Sequence, residues 1–494
     1  MVKNKDYKKK ESQTETAWLR RIPLLLVIVL LGCLLGQHYQ LLSREIAARE
    51  ILKNEGAKVR QDTGEGTQPN LTAEGEKRQD AVRGHAAWKD GRESDAVILS
   101  EQEQKGTSAK EQEESQQREE QEEVLQTEEP LMRVLLMTDG YEGYYHSSVT
   151  VEADGVETVY SPENVGDDPV RIAPENGSFA VTSLERARGV PVYEGTLEIY
   201  GTDQGLLLVN ELPLESYLCQ VVPSEMPSSY ETEALKAQAV CARTYACVQM
   251  ESSSLENLGA QVDDSVSYQV YQNSGEAEAA SRAVDETKGE ILLNHGQPIN
   301  AYYFSTSHGR TSTDEVWEAS VPSAYLQSVE CSYDAQEPWY AWEVTVSAQT
   351  MLENARKLDS QVQSIQMPQI LETGEGGAVL TLQYATDRGE KELHSEYDIR
   401  SLLAPRGAAI TRQDGSEVQG GTLLPSAYFT LEEQTDEAGN FTGCRIRGGG
   451  YGHGVGMSQN GAKGMAESGK NYQEILTYFY KDVEIGNINE VLAD

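Results

Sequence analysis

Between residues 210 and 250 the chain reads NELPLESYLCQVVPSEMPSSYETEALKAQAVCARTYACVQM. One carboxylate in it, Glu225, is flanked by the apolar triplet VVP and the pair MP. Apolar surroundings favour a carboxylic acid over its anion, and an acid still protonated near neutral pH can donate a proton to a leaving oxygen. Two cations follow, Lys236 and Arg243, at a seven-residue interval. Two helical turns nearly return to the starting angle, so on a helix they share a face. There they would bind an anionic group or stabilise negative charge growing on oxygen, although a solvated helix face explains them too. The cations and a helix start close by would favour the Glu225 anion, and a carboxylate that merely caps the helix is the plainer alternative.

These side chains need rigid carriers. Ser228 followed by Glu231 reads as a capping box that starts a helix just after Glu225. That helix runs through ALKAQAVCARTYA, whose small residues permit close packing. Ahead of it, 131–209 alternates short β-branched runs with Gly, Asp, Asn and Pro turns, which predicts strands. Beyond it come an acidic connection at Asp263 and Asp264 and a hairpin, with strands at 290–294 and 299–306 about a His295–Gly296 turn. A strand at 342–346, a helix at 348–357, a strand at 379–384 and a short helix at 397–403 follow. The last block predicts a strand at 444–447, a glycine loop and helices at 458–467 and 472–480. Strands and helices mix without a βαβ rhythm, so the expected class is α+β.

With 494 residues the chain exceeds one typical domain, and its 38% hydrophobic content and net charge of −39 imply that part of it does not fold. The acidity argues against a nucleic-acid partner. Five of the six cysteines lie beyond the N-terminal apolar run, an odd number that cannot all pair within the chain. Cys241 and Cys247 point to different sides of one helix, and buried thiols are the plain reading. Residues 1–21 form a basic tail, followed by IPLLLVIVLLGCLLG, only fifteen residues long. The order of charge and apolar run predicts a single-pass transmembrane signal anchor at 22–40, with the N-terminus cytoplasmic and the remainder outside the cell membrane. A cleaved signal peptide and a lipoprotein at Cys33 are the alternatives. The segment 41–130 is an acidic, low-complexity linker, with helical patches conceivable at 43–53 and 111–125; its portion 101–130 holds eleven acidic and three basic residues. Such a chain buries too little apolar surface to offset its entropy and extends as a tether or spacer.

The stretch 210–250 resembles the SpoIID/LytB family of cell-wall proteins, whose motif has an NELPLE opening, a VPSEM turn and an EALKAQAVAARTYA helix. Two further blocks match in the family's order: GEILLNHGQPINAYYFSTSHGRTST at 289–313, and the block at 447–480 with GYGHGVGMSQNGAKGMAESG and EILTYFY. The resemblance divides 131–488 into a β-rich start (131–209), a core motif (210–313), a variable middle (314–440) and a C-terminal block (441–488). It implies a stage II sporulation protein D-like lytic transglycosylase that acts on denuded peptidoglycan glycan strands. In such an enzyme Glu225 would serve as acid and then base while the muramic acid 6-hydroxyl closes on C1 to a 1,6-anhydro end.

By the same resemblance Lys236, Arg243, Ser305, Thr306, Ser307, His453, Ser458 and Gln459 would contact substrate. A SpoIIP-like amidase and a SpoIIM-like membrane scaffold would be partners at the engulfing sporulation septum. The rival implication is a LytB-like module that binds glycan and enhances an amidase without cutting. His308 and Arg310 depart from the family pattern. Some members hold zinc after the central helix, but 251–294 contains neither Cys nor His, so no metal or other cofactor is expected here.

Overall fold

The structure is a computed structural model that describes residues 129–166, 168–265, 267–271, 277–317 and 321–492. Its class is α+β, as the mixed pattern predicts. A five-stranded sheet runs in the order Val170–Ile172, Thr196–Thr202, Gly205–Pro213, Leu131–Leu135, Val262–Asp263. All its pairs are antiparallel except the last. Leu131–Leu135 pairs with the end of Gly205–Pro213, Leu131 opposite Pro213, so the opening strand lies beside the chain just before it turns helical. A second sheet, Val156–Tyr160, Val149–Ala153, Ser178–Val181 and Val192–Glu194, packs into the same core through Val149, Val151, Phe179, Val181 and Tyr193.

Helix α1, Leu214–Glu225, grows directly from Pro213. The motif reads as an apolar turn, yet LESYLCQVVPSE is helical throughout and places Glu225 at the helix's C-terminal end. Pro227 explains the stop: the residue before a proline is pushed out of the helical region, and Met226 is extended at φ −131° and ψ 134°. Helix α2, Thr232–Glu251, starts later than the expected capping box, with Glu231 as N-cap and no side-chain cap bond, which corrects the role given to Ser228. Ala234, Ala237, Ala239, Ala242 and Ala246 are fully buried along it, so it is covered on several faces. Helix α3, Glu278–Glu286, and α1 pack on it from one side.

The hairpin forms where expected, with His295 and Gly296 both at positive φ, 53° and 76°. Its return strand is only Gln297–Pro298. Tyr303–Phe304 leaves the hairpin and pairs in parallel with Met457–Ser458, so the second and third motif blocks meet. Between them lies a unit with its own core, including Trp342, Val344, Met351, Leu382, Ile399 and Ile446. It holds α4 (Ala348–Leu358), α5 (Glu396–Leu402) and a five-stranded sheet centred on Trp342–Ser347. Helices α6 (Gln459–Glu467) and α7 (Tyr472–Phe479) then return to α2. All five cysteines in the described residues are free thiols, and Cys241, Cys247, Cys331 and Cys444 are buried.

The transmembrane helix and the single-pass membrane localisation are corrected. Among the described residues no helix is long and apolar enough to cross a membrane. The longest, α2, has 20 residues and carries Glu233, Lys236, Arg243 and Glu251. The segment 22–40, the basic tail and the acidic linker as far as residue 128, with its helical patches, lie outside the described residues.

Gly456 sits at φ +76°, and a Cβ there would collide with the carbonyl oxygen of Tyr302 across the parallel pair. Gly456→Ala is therefore expected to cost about 2 kcal/mol or more in a denaturant unfolding experiment, from strain and overpacking together.

Candidate functional site around Glu225

Glu225 is half-buried at the end of α1. Its Oε1 accepts the Val270 N–H at 2.8 Å, and its backbone carbonyl accepts the Gln459 side-chain amide at 3.0 Å. The Gln459 amide also lies 3.4 Å from Gln238 Oε1. Beside them, Gln269 links Tyr217, which donates to its Oε1 at 3.3 Å, to the Tyr303 hydroxyl, 3.4 Å from its Nε2. Burial first, and then the Glu225 carboxylate, push the Tyr303 phenol well above its ordinary range. For Tyr217, burial acts first, with Tyr271, Tyr245 and Glu225 adding to it. One carboxylate thus stands amid phenols and amides.

Lys236 and Arg243 do share a face of α2, as their spacing predicts, but that face meets α3. Arg243 is fully buried. Its guanidinium donates to both carboxylate oxygens of Glu215, at 2.9 and 2.7 Å, and to the carbonyls of Glu290 and Val284 at 3.1 and 3.2 Å. A guanidinium so enclosed cannot reach a ligand in solvent, which corrects its expected role in substrate binding. Lys236 pairs with Glu286 at 2.7 Å and Glu233 at 3.1 Å, and the bond to Glu286 pushes its ammonium up. The α2 face that does turn to Glu225 carries Gln238.

Ser305, Thr306, Ser307, Ser458, Gln459 and His453 are brought together by the parallel strand pair. Their organiser is Asp334, a carboxylate only 1% exposed. It accepts the Ser307 N–H at 2.7 Å, the Ser307 hydroxyl at 2.9 Å and the Ser458 hydroxyl at 2.7 Å. Burial pushes its carboxyl up, and these donors act against that. Ser458 also accepts the Gly461 N–H at 3.1 Å and so caps α6. From that first turn Asn460 donates to Thr306 Oγ1 at 2.9 Å and accepts from Tyr230 at 2.5 Å. Ser305 Oγ lies 3.1 Å from Thr306 Oγ1. Thr306, Ser307 and Ser458 are thus buried and bonded within the fold, which corrects their expected contact with substrate; Ser305 and Gln459 are half-buried, and Gln459 reaches the Glu225 carbonyl.

His453 accepts the Val455 N–H on Nδ1 at 3.1 Å, which leaves Nε2 to donate to the Tyr303 carbonyl at 3.0 Å. Both ring nitrogens hold the loop, so the imidazole acts as a fixed plane. His308 stacks on Tyr428 at 4.0 Å, and burial pushes it down to about 4. Arg310 pairs with Glu330 at 3.4 Å. Both departures from the family pattern thus contact the middle segment.

Asp334 and Val270 escaped the sequence reading. Asp334 lies 27 and 124 residues from its two serines, so nothing local marks it, and Val270 contributes only its backbone. Arg243→Gln is expected to cost about 3–5 kcal/mol of stability by stranding Glu215. Equilibrium unfolding in denaturant, compared with the native chain, would read that loss.

The family described as Stage II sporulation protein matches residues 202–294, and a domain of unknown function matches 317–456, the part that holds the second core. The chain is 32% identical over 299 residues to Stage II sporulation protein D of Bacillus subtilis (strain 168), which covers 58% of this chain and 77% of that protein. It is 34% identical over 301 residues to Stage II sporulation protein D of Bacillus amyloliquefaciens, with the same coverage of 58% and 77%. The Amidase enhancer of Bacillus subtilis (strain 168) is 32% identical over 292 residues, 53% of this chain but only 39% of that protein. With three motif blocks meeting around one carboxylate and the two Stage II sporulation protein D relatives matched over 77% of their length, the chain belongs to the SpoIID/LytB-like family, which is linked to cell-wall remodelling.

Proposed function

We propose that the site around Glu225 binds peptidoglycan glycan strands and that the protein enhances a wall amidase, without itself cutting the strand. The commitment of Arg243 to Glu215 carries this reading: the cation expected to stabilise charge in a cleavage step is enclosed elsewhere. His453, whose ring nitrogens hold the backbone, supports it as well. Phenols and amides stand around Glu225, groups with which the hydroxyl and N-acetyl groups of a glycan exchange hydrogen bonds. An amidase partner would follow from the relative whose name is Amidase enhancer.

A second reading has one observation in its favour. Glu225 ends helix α1, and the partial negative charge of a helix C-terminus favours a protonated carboxyl, while the Val270 N–H pulls the other way. A protonated Glu225 would serve a lytic transglycosylase as acid, then as base for closure to 1,6-anhydro-muramic ends.

The two readings separate in one experiment. The full chain is incubated with glycan strands and, in parallel, with whole peptidoglycan plus an N-acetylmuramoyl-L-alanine amidase, and products are read by mass spectrometry. The expected result is faster release of stem peptides, at least about threefold, with no anhydro-muramic ends, and Glu225→Gln weakening strand binding by less than tenfold. Anhydro ends that appear with the native chain and vanish with Glu225→Gln would overturn the accessory reading in favour of the transglycosylase.

A further inference from the structure

A row of aromatic rings leads away from Glu225. The Tyr303 hydroxyl lies 3.4 Å from the amide of Gln269, the neighbour of the Val270 whose N–H meets the Glu225 carboxylate. Tyr245 and Tyr302 stand 6.5 Å apart, and Tyr302 meets Trp317 edge to face at 4.8 Å and 68°. Trp317 lies 5.1 Å from His453, which lies 5.7 Å from Phe304. Tyr245 and Phe304 are buried, 5% exposed each, and form the floor; Tyr302, Tyr303, Trp317 and His453 are half-buried above them. With both ring nitrogens of His453 tied to backbone, the imidazole cannot swing away, so Trp317 is held against a fixed plane.

We infer that Trp317, braced by Tyr302 and His453, forms a stacking platform for one N-acetylhexosamine ring of the glycan. The inference rests on the glycan-binding reading above and adds a subsite to it. A β-linked pyranose turns one face of axial C–H bonds outward, apolar and weakly positive, while its equatorial hydroxyls point sideways. An aromatic face is apolar and negative, and a ring held by its neighbours loses little freedom when it is covered. The hydroxyls then need polar partners at the rim, and the Glu225 carboxylate and the Gln459 amide stand at the Tyr303 end of the row. Trp317 also lies past the end of the first family match at 294 and opens the second at 317, so the platform joins the two matched segments.

The test titrates the full chain with chitohexaose, a β-1,4-linked N-acetylglucosamine hexamer, and follows tryptophan emission and binding heat. The chain has five tryptophans, so the Trp317→Phe variant isolates the signal of one. Expected are an emission change in the native chain that is absent in Trp317→Phe, and a loss of about tenfold in affinity for Trp317→Ala with a smaller loss for Trp317→Phe. Trp317→Phe keeps an aromatic ring in the packing, so it reports even if Trp317→Ala unfolds. Native affinity and an undiminished emission change in Trp317→Phe would overturn the platform while leaving glycan binding intact. A native chain that binds neither chitohexaose nor purified glycan strands would overturn the glycan reading, and the platform with it.

Discussion

Asp334 holds the candidate site together. A carboxylate removed from water must be compensated by donors, and this one receives the Ser307 N–H and the hydroxyls of Ser307 and Ser458. Those serines lie some 150 residues apart in the chain, Ser458 ending Met457–Ser458 and Ser307 just beyond Tyr303–Phe304, the two strands that pair in parallel. A parallel pair of two residues is weak by itself, and the shared buried anion is what fixes its register. Because Ser458 also caps α6, the same interaction sets the first turn of that helix. Gln459 then reaches the carbonyl of Glu225, and Asn460 reaches Thr306.

The other half of the site is set by chain geometry. Pro227 stops α1 at Glu225, and the Val270 N–H meets the carboxylate from the loop after Val262–Asp263. That loop is fastened in turn by Asp264, whose carboxylate accepts the Met137 N–H at 2.9 Å and pairs with buried Arg186 at 2.7 Å. Helix α2 lies between the two halves, with its small residues packed and its cations spent on α3. The result is a site in which Lys236 and Arg243 are paired within the fold, while phenols and amides stand near Glu225. That chemistry suits recognition of a sugar polymer, and it leaves the accessory and catalytic readings to be divided by Glu225 itself.

Much of this was legible in the sequence, and the losses have identifiable causes. The hairpin at His295–Gly296, the strand at Trp342–Ser347 and helices α4 to α7 follow from local turn chemistry and periodicity, and the structure has them within a few residues. The seven-residue spacing of Lys236 and Arg243 does put both on one face, but spacing carries no information about what that face meets. The capping pattern at Ser228 competed with Pro227 and lost, because the helix starts only after the chain has turned at Tyr230, whose N–H bonds to the Pro227 carbonyl. Ser307 and Ser458 lie in the right place for the wrong reason: their hydroxyls serve Asp334, a partner that nothing nearby in the chain announces. The serine-rich and glycine-rich blocks were legible as motifs; their mutual contact, made through long-range pairing, was not.

The claim that one buried anion assembles the site is tested most directly by amide hydrogen exchange on Asp334→Asn. The account predicts that 303–307 and 456–460 lose protection together, while Trp342–Ser347 in the second core keeps native protection. Unchanged protection in both segments, or an equal loss throughout the domain, would contradict it.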